Sequence, residues 1–370
     1  MKSKWEYKRL DEACRIDFGT RVVQKKDGGS TYDVYGGGGA TFKMDRYNRE
    51  DCFIVSRFAM SPKCTRYVKG KFFLNDSGLS VSSNSPSLTQ AFVDCFLLAN
   101  NDKIYAMGKG AAQRNLDMAS FRKMSIPVPP LDEQQRIVAE LDLLTEVIDK
   151  RRMQLTELGT LAQSIFYDMF GDFSGTECAL VELCRSKDDI KCGPFGTQLS
   201  KSEYQSEGVA VWGIPQINSH FAIAPSDYVS DEKAVALKDY SVVSGDIVMS
   251  RKGNVGQCSV FPDSFEAGII HSDVLRLRLD YDKANSVFMM YQLHLSDRIK
   301  HQIQLVSSGA IMPGINVTKL KNIKVLVPPL TLQQEFADKI QSIEKQKAAV
   351  NQSIVETQKL LDYTMDKYFG

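Results

Sequence analysis

The feature that most constrains this chain is that it repeats itself. Pro129, Pro130, Leu131, Gln134, Gln135, Phe170 and Gly171 recur as Pro328, Pro329, Leu330, Gln333, Gln334, Phe369 and Gly370, every pair offset by 199 residues without a gap. A self-match of this length at fixed period dictates architecture before any local motif does, and here it dictates two similar halves.

Each copy opens with Pro-Pro, which holds the backbone extended. Asp132 and Thr331 then stand three residues before Gln135 and Gln334 in a capping-box pattern, so a helix is expected to start there. In the first copy Leu141, Ile148, Leu155, Ala162 and Met169 recur at one heptad position and Ile137, Leu144, Leu158 and Ile165 at the other, with Arg151 the single break. In the second, Ile340, Ile354, Leu361 and Tyr368 stand with Phe336, Ile343 and Val350, while Lys347, Thr357 and Thr364 weaken the seam. A narrow seam of this kind suits a partner helix, and the economical partner is the other copy. Each run of roughly 37 residues would be about 55 Å long at 1.5 Å per residue, against about 11 to 12 residues for a usual globular helix. A long antiparallel coiled coil acting as a spacer is expected; the alternative is two core helices in separate domains.

The remaining segments, up to about residue 126 and from 172 to about 327, read as strand-rich domains. Runs such as Cys52-Phe53-Ile54-Val55 and Lys71-Phe72-Phe73-Leu74 alternate with turn chemistry at Lys26-Asp27-Gly28-Gly29 and Asn75-Asp76-Ser77-Gly78, and one helix is expected near Leu88–Leu98. Weak echoes link the two domains. Phe18-Gly19-Thr20 matches Phe195-Gly196-Thr197 and Val34-Tyr35-Gly36 matches Val211-Trp212-Gly213, both offset by 177; Ile54-Val55-Ser56-Arg57 matches Val248-Met249-Ser250-Arg251, offset by 194. At the domain exits Gly110-Ala111 matches Gly309-Ala310 and Leu116 matches Ile315, at the full offset. One fold used twice is expected, with the second domain's extra residues in its loops.

Several chemistries are excluded or left open by the residues. The four glycines Gly36 to Gly39 form either a tight loop or a loop touching a nucleic-acid backbone; no Gly-Lys-Ser/Thr follows, so there is no Walker loop. Asp11-Glu12-Ala13-Cys14 has the letters of a helicase box, but without a phosphate-binding loop a helix start explains it better. Pro225-Ser226-Asp227 with Asp231-Glu232-Lys233 has the residue types of a Mg²⁺-dependent nuclease, at a short spacing common by chance. The eight cysteines, Cys14, Cys52, Cys64, Cys95, Cys178, Cys184, Cys192 and Cys258, contain no Cys-x-x-Cys pair, and the four histidines, His220, His271, His294 and His301, lack zinc-finger spacing relative to them. Reduced thiols and no metal are expected. Met1-Lys2-Ser3-Lys4-Trp5-Glu6-Tyr7 has no apolar signal core, and no segment approaches 18 uninterrupted apolar residues, which suits a soluble, cytoplasmic chain that does not enter a membrane.

The near-neutral total hides an uneven distribution. Residues 1–130 carry 21 Lys and Arg against 13 Asp and Glu, whereas residues 172–327 carry 16 against 18. The first excess suits a polyanionic partner; the second domain offers none. Two like domains joined by an antiparallel helix pair would stand about a pseudo-two-fold axis, which matches the two-fold symmetry of duplex DNA. Because the domains differ in sequence, a split, asymmetric DNA target is expected.

At this point the chain resembles the specificity subunits of type I restriction-modification systems. The carriers are Ile126-Pro127-Val128-Pro129-Pro130-Leu131-Asp132-Glu133-Gln134-Gln135 and Val325-Leu326-Val327-Pro328-Pro329-Leu330-Thr331-Leu332-Gln333-Gln334. They are joined by Val34-Tyr35-Gly36-Gly37-Gly38-Gly39, Ile54-Val55-Ser56-Arg57 and Asn75-Asp76-Ser77-Gly78 in the first domain, and by Gly193-Pro194-Phe195-Gly196-Thr197, Gly245-Asp246-Ile247-Val248 and Ser250-Arg251-Lys252-Gly253 in the second. The second helix opening departs from the commoner acidic residue before the glutamine, having Leu332 there. The resemblance implies an α/β (α+β) chain: target-recognition domain 1 over 1–128, spacer helix 1 over 129–171, target-recognition domain 2 over 172–327 and spacer helix 2 over 328–370, with the helices in an antiparallel coiled coil. It further implies a non-catalytic subunit that reads a bipartite sequence in double-stranded DNA. Two modification subunits, S-adenosylmethionine-dependent adenine methyltransferases, would dock on it, joined by restriction subunits that use ATP and Mg²⁺. No cofactor is expected in this chain, and it contains no Asn/Asp-Pro-Pro-Phe/Tyr methyltransferase motif.

Base reading needs paired donors or acceptors, and phosphate contact needs charge or backbone amides. The candidates are Arg21, Lys25, Lys26, Tyr35, Gly36, Arg57, Asn75 and Ser77 in the first domain. In the second they are Lys191, Phe195, Thr197, Gln198, Gln216, Asn218, Arg251, Lys252, Asn254 and His271. Arg57 and Arg251, at equivalent places after a strand, lead the list. For partner-subunit docking the expected outer-face residues are Gln134, Gln135, Phe166, Gln333, Gln334 and Met365. A coiled-coil scaffold holding proteins is the rival of another class, and an enzyme acting alone is a second.

Overall fold

The computed structural model describes residues 5–111, 113–308 and 314–370. The Met1–Lys4 start of the chain and Gly309-Ala310 of the domain-exit match lie outside the described residues. The chain divides into two compact units, residues 1–154 with 350–370, and residues 155–349.

In chain order the first unit holds β1 (Glu6–Arg9), α1 (Leu10–Ala13), β2 (Cys14–Phe18), α2 (Gln24–Asp27), β3 (Tyr32–Tyr35), β4 (Ala40–Met44), β5 (Arg49–Ser56), β6 (Thr65–Leu74) and β7 (Gly78–Ser83). Then come α3 (Gln90–Ala99), α4 (Asn101–Ala106), β8 (Gly108–Lys109), β9 (Asn115–Leu116), α5 (Met118–Arg122), β10 (Ser125–Val128) and the long α6 (Leu131–Phe170). The second unit follows with β11 (Glu177–Ala179), β12 (Ile190–Cys192), β13 (Val209–Trp212), α7 (Ile214–Asn218), β14 (Asp227–Val229), α8 (Asp231–Ala236), β15 (Ser241–Val242), β16 (Ile247–Ser250), β17 (Cys258–Val260), β18 (Gly268–Ile270) and β19 (Val274–Leu277). It closes with α9 (Ser286–Leu295), α10 (Asp297–Val306), β20 (Ser307–Ser308), β21 (Gly314–Ile315), α11 (Val317–Leu320), β22 (Lys324–Leu326) and the long α12 (Leu330–Phe369).

One wiring serves both units. A terminal pair, β1 with β10 or β11 with β22, closes each, and a parallel contact, Val34 with Phe73 or Val211 with Ile269, lies in each sheet system. The first unit builds a six-stranded sheet in the order β2-β7-β5-β6-β3-β4. There β6 runs unbroken, bulged where Asp51 and Gly70 both take positive φ and Asp51 Oδ1 accepts from Gly70 N–H at 2.7 Å. In the second unit the equivalent strand is split into β17 and β18, so two four-stranded sheets form instead, β12-β19-β16-β17 and β14-β13-β18-β15. The expectation that extra residues lie in loops needs correction: between Trp212 and Ile247 they form α7, β14, α8 and β15, where the first unit has only β4.

Both long helices span 40 residues, about 60 Å at 1.5 Å per residue. In the first unit Ile137, Leu141 and Ile148 from the start of α6 share a core with Leu361, Tyr368 and Phe369 from the end of α12. Tyr368 OH accepts from Arg136 Nη2 at 3.1 Å and donates to Glu140 at 2.9 Å. In the second unit Phe166 and Phe170 from the end of α6 lie 5.7 and 5.5 Å from Phe336 near the start of α12. Start meets end in both, so the helices pair antiparallel along the heptad seam. Arg151, its one break, is half-buried and turns aside to bond Gln154 at 2.9 Å.

The helix openings differ from the capping-box expectation. The helices begin at Leu131 and Leu330, so Asp132 and Thr331 sit inside the first turn rather than at the cap. The other glutamine does the local work: Gln134 Nε2 donates to Pro129 O and Gln333 Nε2 to Pro328 O, both at 2.8 Å.

Candidate nucleic-acid interface

In the first unit three loops converge on the residue after β5. Arg57 N–H donates to Ser77 O and the Arg57 carbonyl accepts from Leu116 N–H, both at 2.8 Å. Asn75 folds its own turn, its Oδ1 accepting from Ser77 N–H at 2.8 Å. Asn75 N–H donates to Tyr35 O at 2.8 Å and Gly19 N–H to Gly78 O at 3.0 Å; Ser56 Oγ donates to Gly37 O at 2.6 Å. Thus 18–20, 35–39 and 75–78 are tied together around Arg57. Its guanidinium lies over the Phe18 ring at 4.6 Å and the Phe58 ring at 4.4 Å, a cation–π arrangement. Among the described residues it makes no ion pair or side-chain hydrogen bond.

The glycine run divides in two. A Cβ on Gly36 would stand 2.5 Å from Asn75 Oδ1 and one on Gly37 2.1 Å from Phe58 O, whereas Gly38 and Gly39 face open space. Close packing therefore explains the first pair, and the second leaves backbone open to an approaching ligand.

The second unit repeats the cluster with other letters. Arg251 N–H donates to Asp273 O at 2.8 Å and the Arg251 carbonyl accepts from Ile315 N–H at 3.1 Å. His271 takes the place of Asn75: its N–H donates to Trp212 O at 2.9 Å, and its Nδ1 accepts from Asp273 N–H at 3.1 Å. The ring proton therefore sits on Nε2. Arg251 lies over Phe195 at 4.8 Å, and its Nε donates to Ile315 O at 3.4 Å. The Phe-Gly-Thr echo is not a register match, because Phe18 pairs with Leu79 while Cys192 pairs with the equivalent Leu275. The second ring arrives from three positions further along the chain and reaches the same arginine.

Phe18 and Phe58 were missed by sequence reasoning. Phe18 stands in the echo with Phe195, which is a signal; Phe58 stands opposite Lys252 at the 194-residue offset, which is none. Of the other candidates, Arg21, Lys25, Lys26, Thr197, Asn218 and Asn254 are exposed. Lys252 pairs with Asp273 at 2.7 Å, and Lys191 pairs with Asp239 at 3.6 Å while lying over Tyr240. Gln198 Oε1 accepts from Phe195 N–H at 3.1 Å and Tyr240 OH at 3.0 Å, shaping the loop that carries the phenylalanine. Tyr35 packs edge-on against Phe72 at 5.4 Å. Gln216 is a correction: it is buried, its amide bonded to Gly213 N–H at 3.0 Å and Ala224 O at 3.1 Å, so it is not presented to a base.

The docking candidates are corrected more heavily. Gln134 and Gln333 are 0% exposed and do not lie on an outer face. Gln134 Oε1 accepts from Thr89 N–H at 2.8 Å and Thr89 Oγ1 at 3.1 Å, and its Nε2 also donates to Ser87 O at 2.7 Å. Gln333 Oε1 accepts from Asn285 N–H at 2.9 Å. Thr89 and Asn285 are the N-caps of α3 and α9, so each glutamine fastens a domain helix to a long helix. Phe166 is buried among Phe170, Phe288 and Phe336. Gln135 and Gln334 are exposed, and Met365 packs half-buried on the first core. Leu143, Met153, Leu360 and Tyr363 are the large exposed apolar side chains that the heptad reading passed over, each more than half exposed.

The nuclease-like fragment does not assemble: Lys233 pairs with Glu203, and Asp231 and Glu232 occupy the first turn of α8 behind the Ser230 cap. Among the described residues no group of three or more His, Cys, Asp or Glu could hold a metal ion, and no helix is long and apolar enough to cross a membrane. The eight cysteines are free; burial pushes the thiols of Cys14, Cys95 and Cys184 up to about 12, far from a reactive thiolate.

Comparison with known proteins completes the picture. The family model described as "Type I restriction modification DNA specificity domain" matches residues 2–158 and 189–357. The type I restriction enzyme MjaVIII specificity subunit of Methanocaldococcus jannaschii is 24% identical over 305 residues, 74% of this chain and 69% of that protein. A putative type I restriction enzyme specificity subunit of Haemophilus influenzae is 24% identical over 380 residues, 98% of this chain and 94% of that one. The crystal structure of a type I restriction-modification S subunit from M. genitalium superposes with a TM-score of 0.61 at 16% identity, covering 99% of this chain and 96% of that one, a likeness of fold. With two matched segments that together span most of its length, each carrying one arginine-on-phenylalanine cluster, the chain belongs to the type I restriction-modification DNA specificity family.

Proposed function

We propose that this chain is the sequence-specific DNA-binding subunit of a cytoplasmic type I restriction-modification complex. Its target-recognition domains, 1–128 and 172–327, each read one half of a bipartite, asymmetric site in double-stranded DNA. The single observation that carries this reading is the twin cluster: two differently lettered loop sets present a stacked arginine whose fork is not engaged by any carboxylate among the described residues. In the first unit the exposed cations Arg21, Lys25 and Lys26 suit phosphate contact, and in the second the exposed Asn218 and Asn254 suit base edges.

The chain supplies no catalytic group in this reading. S-adenosylmethionine, ATP and Mg²⁺ belong to the modification and restriction subunits. Two modification subunits dock on the outer faces of α6 and α12 through Gln135, Gln334 and Met365, and Leu143, Met153, Leu360 and Tyr363 are the exposed apolar side chains of the first unit's helix segments.

The test is a mobility-shift titration of the full chain on duplex DNA at 50 and 200 mM salt. Six to ten phosphate contacts lower affinity by about 10³- to 10⁵-fold between those conditions. A flat response refutes the DNA-reading function and points to a scaffold that holds proteins. Arg57→Ala is expected to weaken reading of one half-site and leave the preference for the other intact.

A further inference from the structure

We infer that Arg57 and Arg251 each read a guanine, one in each half of the target, through a fork held ready by aromatic stacking; this rests on the DNA-reading function proposed above. A phosphate accepts either a lysine's point charge or an arginine's fork. A guanine's major-groove edge offers two acceptors, O6 and N7, side by side, and asks for two coplanar donors at fixed separation. Only arginine has that fork.

What the surroundings do to these two arginines follows that requirement. In the first unit the Phe18 and Phe58 ring centroids lie 4.6 and 4.4 Å from the guanidinium carbon, so aromatic contact holds the cation while its donors have no hydrogen-bond partner among the described residues. The main chain of Arg57 is pinned on both sides, N–H to Ser77 O and carbonyl from Leu116 N–H. In the second unit the Phe195 ring lies 4.8 Å from Arg251, whose main chain is pinned in the same way, and Nε is turned inward to Ile315 O, which leaves the two terminal nitrogens for a ligand. Both side chains are half-buried rather than waving in solvent. Such pre-organisation lowers the side-chain entropy lost on binding.

The two rings come from different register positions and still reach the same arginine. A stack that mattered only for packing would have no reason to be rebuilt from a different residue. Equivalent positions in the two loop sets carry one further polar side chain: Asn75, whose amide oxygen accepts from Ser77 N–H, and His271, whose Nδ1 accepts from Asp273 N–H.

The experiment is selection of the full chain against a random-sequence duplex library, run with the wild type, Arg57→Lys, Arg251→Lys and Phe18→Leu. Among the described residues the Arg57 side chain makes no hydrogen bond, and thermal melts of each variant check that the fold is kept. The wild-type motif is expected to contain a guanine in each half. Arg57→Lys should lose discrimination at one guanine by about 5- to 150-fold, keep the other half unchanged and keep its salt slope. Arg251→Lys should do the reverse, and Phe18→Leu should weaken the same guanine as Arg57→Lys. Replacing that guanine by 7-deazaguanine in a fixed duplex should cost the wild type affinity and cost Arg57→Lys nothing. A motif lacking guanine in either half overturns the assignment while leaving DNA reading intact. So does an Arg57→Lys variant that weakens all sequences equally with a shallower salt slope, which would mark a phosphate contact. Enrichment of no motif by the wild type overturns both the assignment and the function it rests on.

Discussion

Replacing Gln134 by alanine tests whether the paired glutamines fasten domain to helix. Gln134 is fully buried and holds three main-chain groups, Thr89 N–H at 2.8 Å, Ser87 O at 2.7 Å and Pro129 O at 2.8 Å, besides the Thr89 hydroxyl. Alanine leaves all three without partners. A lost hydrogen bond costs about 1 kcal/mol net, and a buried group left unsatisfied about 1–3 kcal/mol. These sites are only partly shielded from water, so the total is about 3–5 kcal/mol, concentrated where α3 meets α6. Gln135, its exposed neighbour, supplies the control: Gln135→Ala is expected within about 0.5 kcal/mol of wild type. Gln333→Ala, which removes bonds to Asn285 N–H and Pro328 O alone, falls between them at about 2 kcal/mol. Amide hydrogen exchange read by mass spectrometry on the peptides covering 84–99 and 285–295 resolves the two latches separately. Protection over 84–99 should drop by two to three powers of ten, roughly tenfold per 1.4 kcal/mol, in Gln134→Ala and stay at wild-type level in Gln135→Ala. Equal behaviour of the two variants, or a loss spread evenly over both units, refutes the latch.

Two further outcomes follow from the second unit. Phe170, 4.7 Å from Phe288 and 5.5 Å from Phe336, is buried at the meeting of α6 with α12, and Phe170→Ala is expected to cost about 3–5 kcal/mol in a denaturant melt followed by Trp212 fluorescence; a cost under about 1 kcal/mol removes the aromatic cluster as the fastening of that helix end. Burial first, and then the charges of His220 and Lys300, lower His294 to about 4, in keeping with its Nε2 accepting from Cys258 N–H at 3.0 Å. The unfolded chain takes up that proton near 6.5, so stability from this group is fully present above about 6.5 and lost progressively as pH falls towards 4, by roughly 3 kcal/mol at most. Urea melts at pH 7.5 and 5 compared between wild type and His294→Gln check it; an unchanged pH dependence in the variant refutes it.

The sequence by itself determined the parts governed by period and repetition. The 199-residue offset and the heptad seam marked two long helices pairing with each other, because a stripe at 3.5-residue spacing has one economical way to bury itself. It also marked Arg57 and Arg251, since an identical Ser-Arg pair after equivalent strands survives in domains that otherwise differ. What it could not show was which way neighbouring side chains turn. Gln134 and Gln135 are the same letter on the same helix, yet one is sealed under Thr89 and the other faces water, because the domain helix crosses α6 at one of them alone. Gln216 had the right chemistry for a base and the wrong surroundings, its amide consumed by the turn it sits in. Phe18 reaches Arg57 and Phe195 reaches Arg251 from different registers, a match that the strand pairing and loop path decided. Periodicity is local and survives in one dimension; hydrogen-bond satisfaction and the direction of a side chain depend on residues tens of positions away, and only the tertiary structure brings those together.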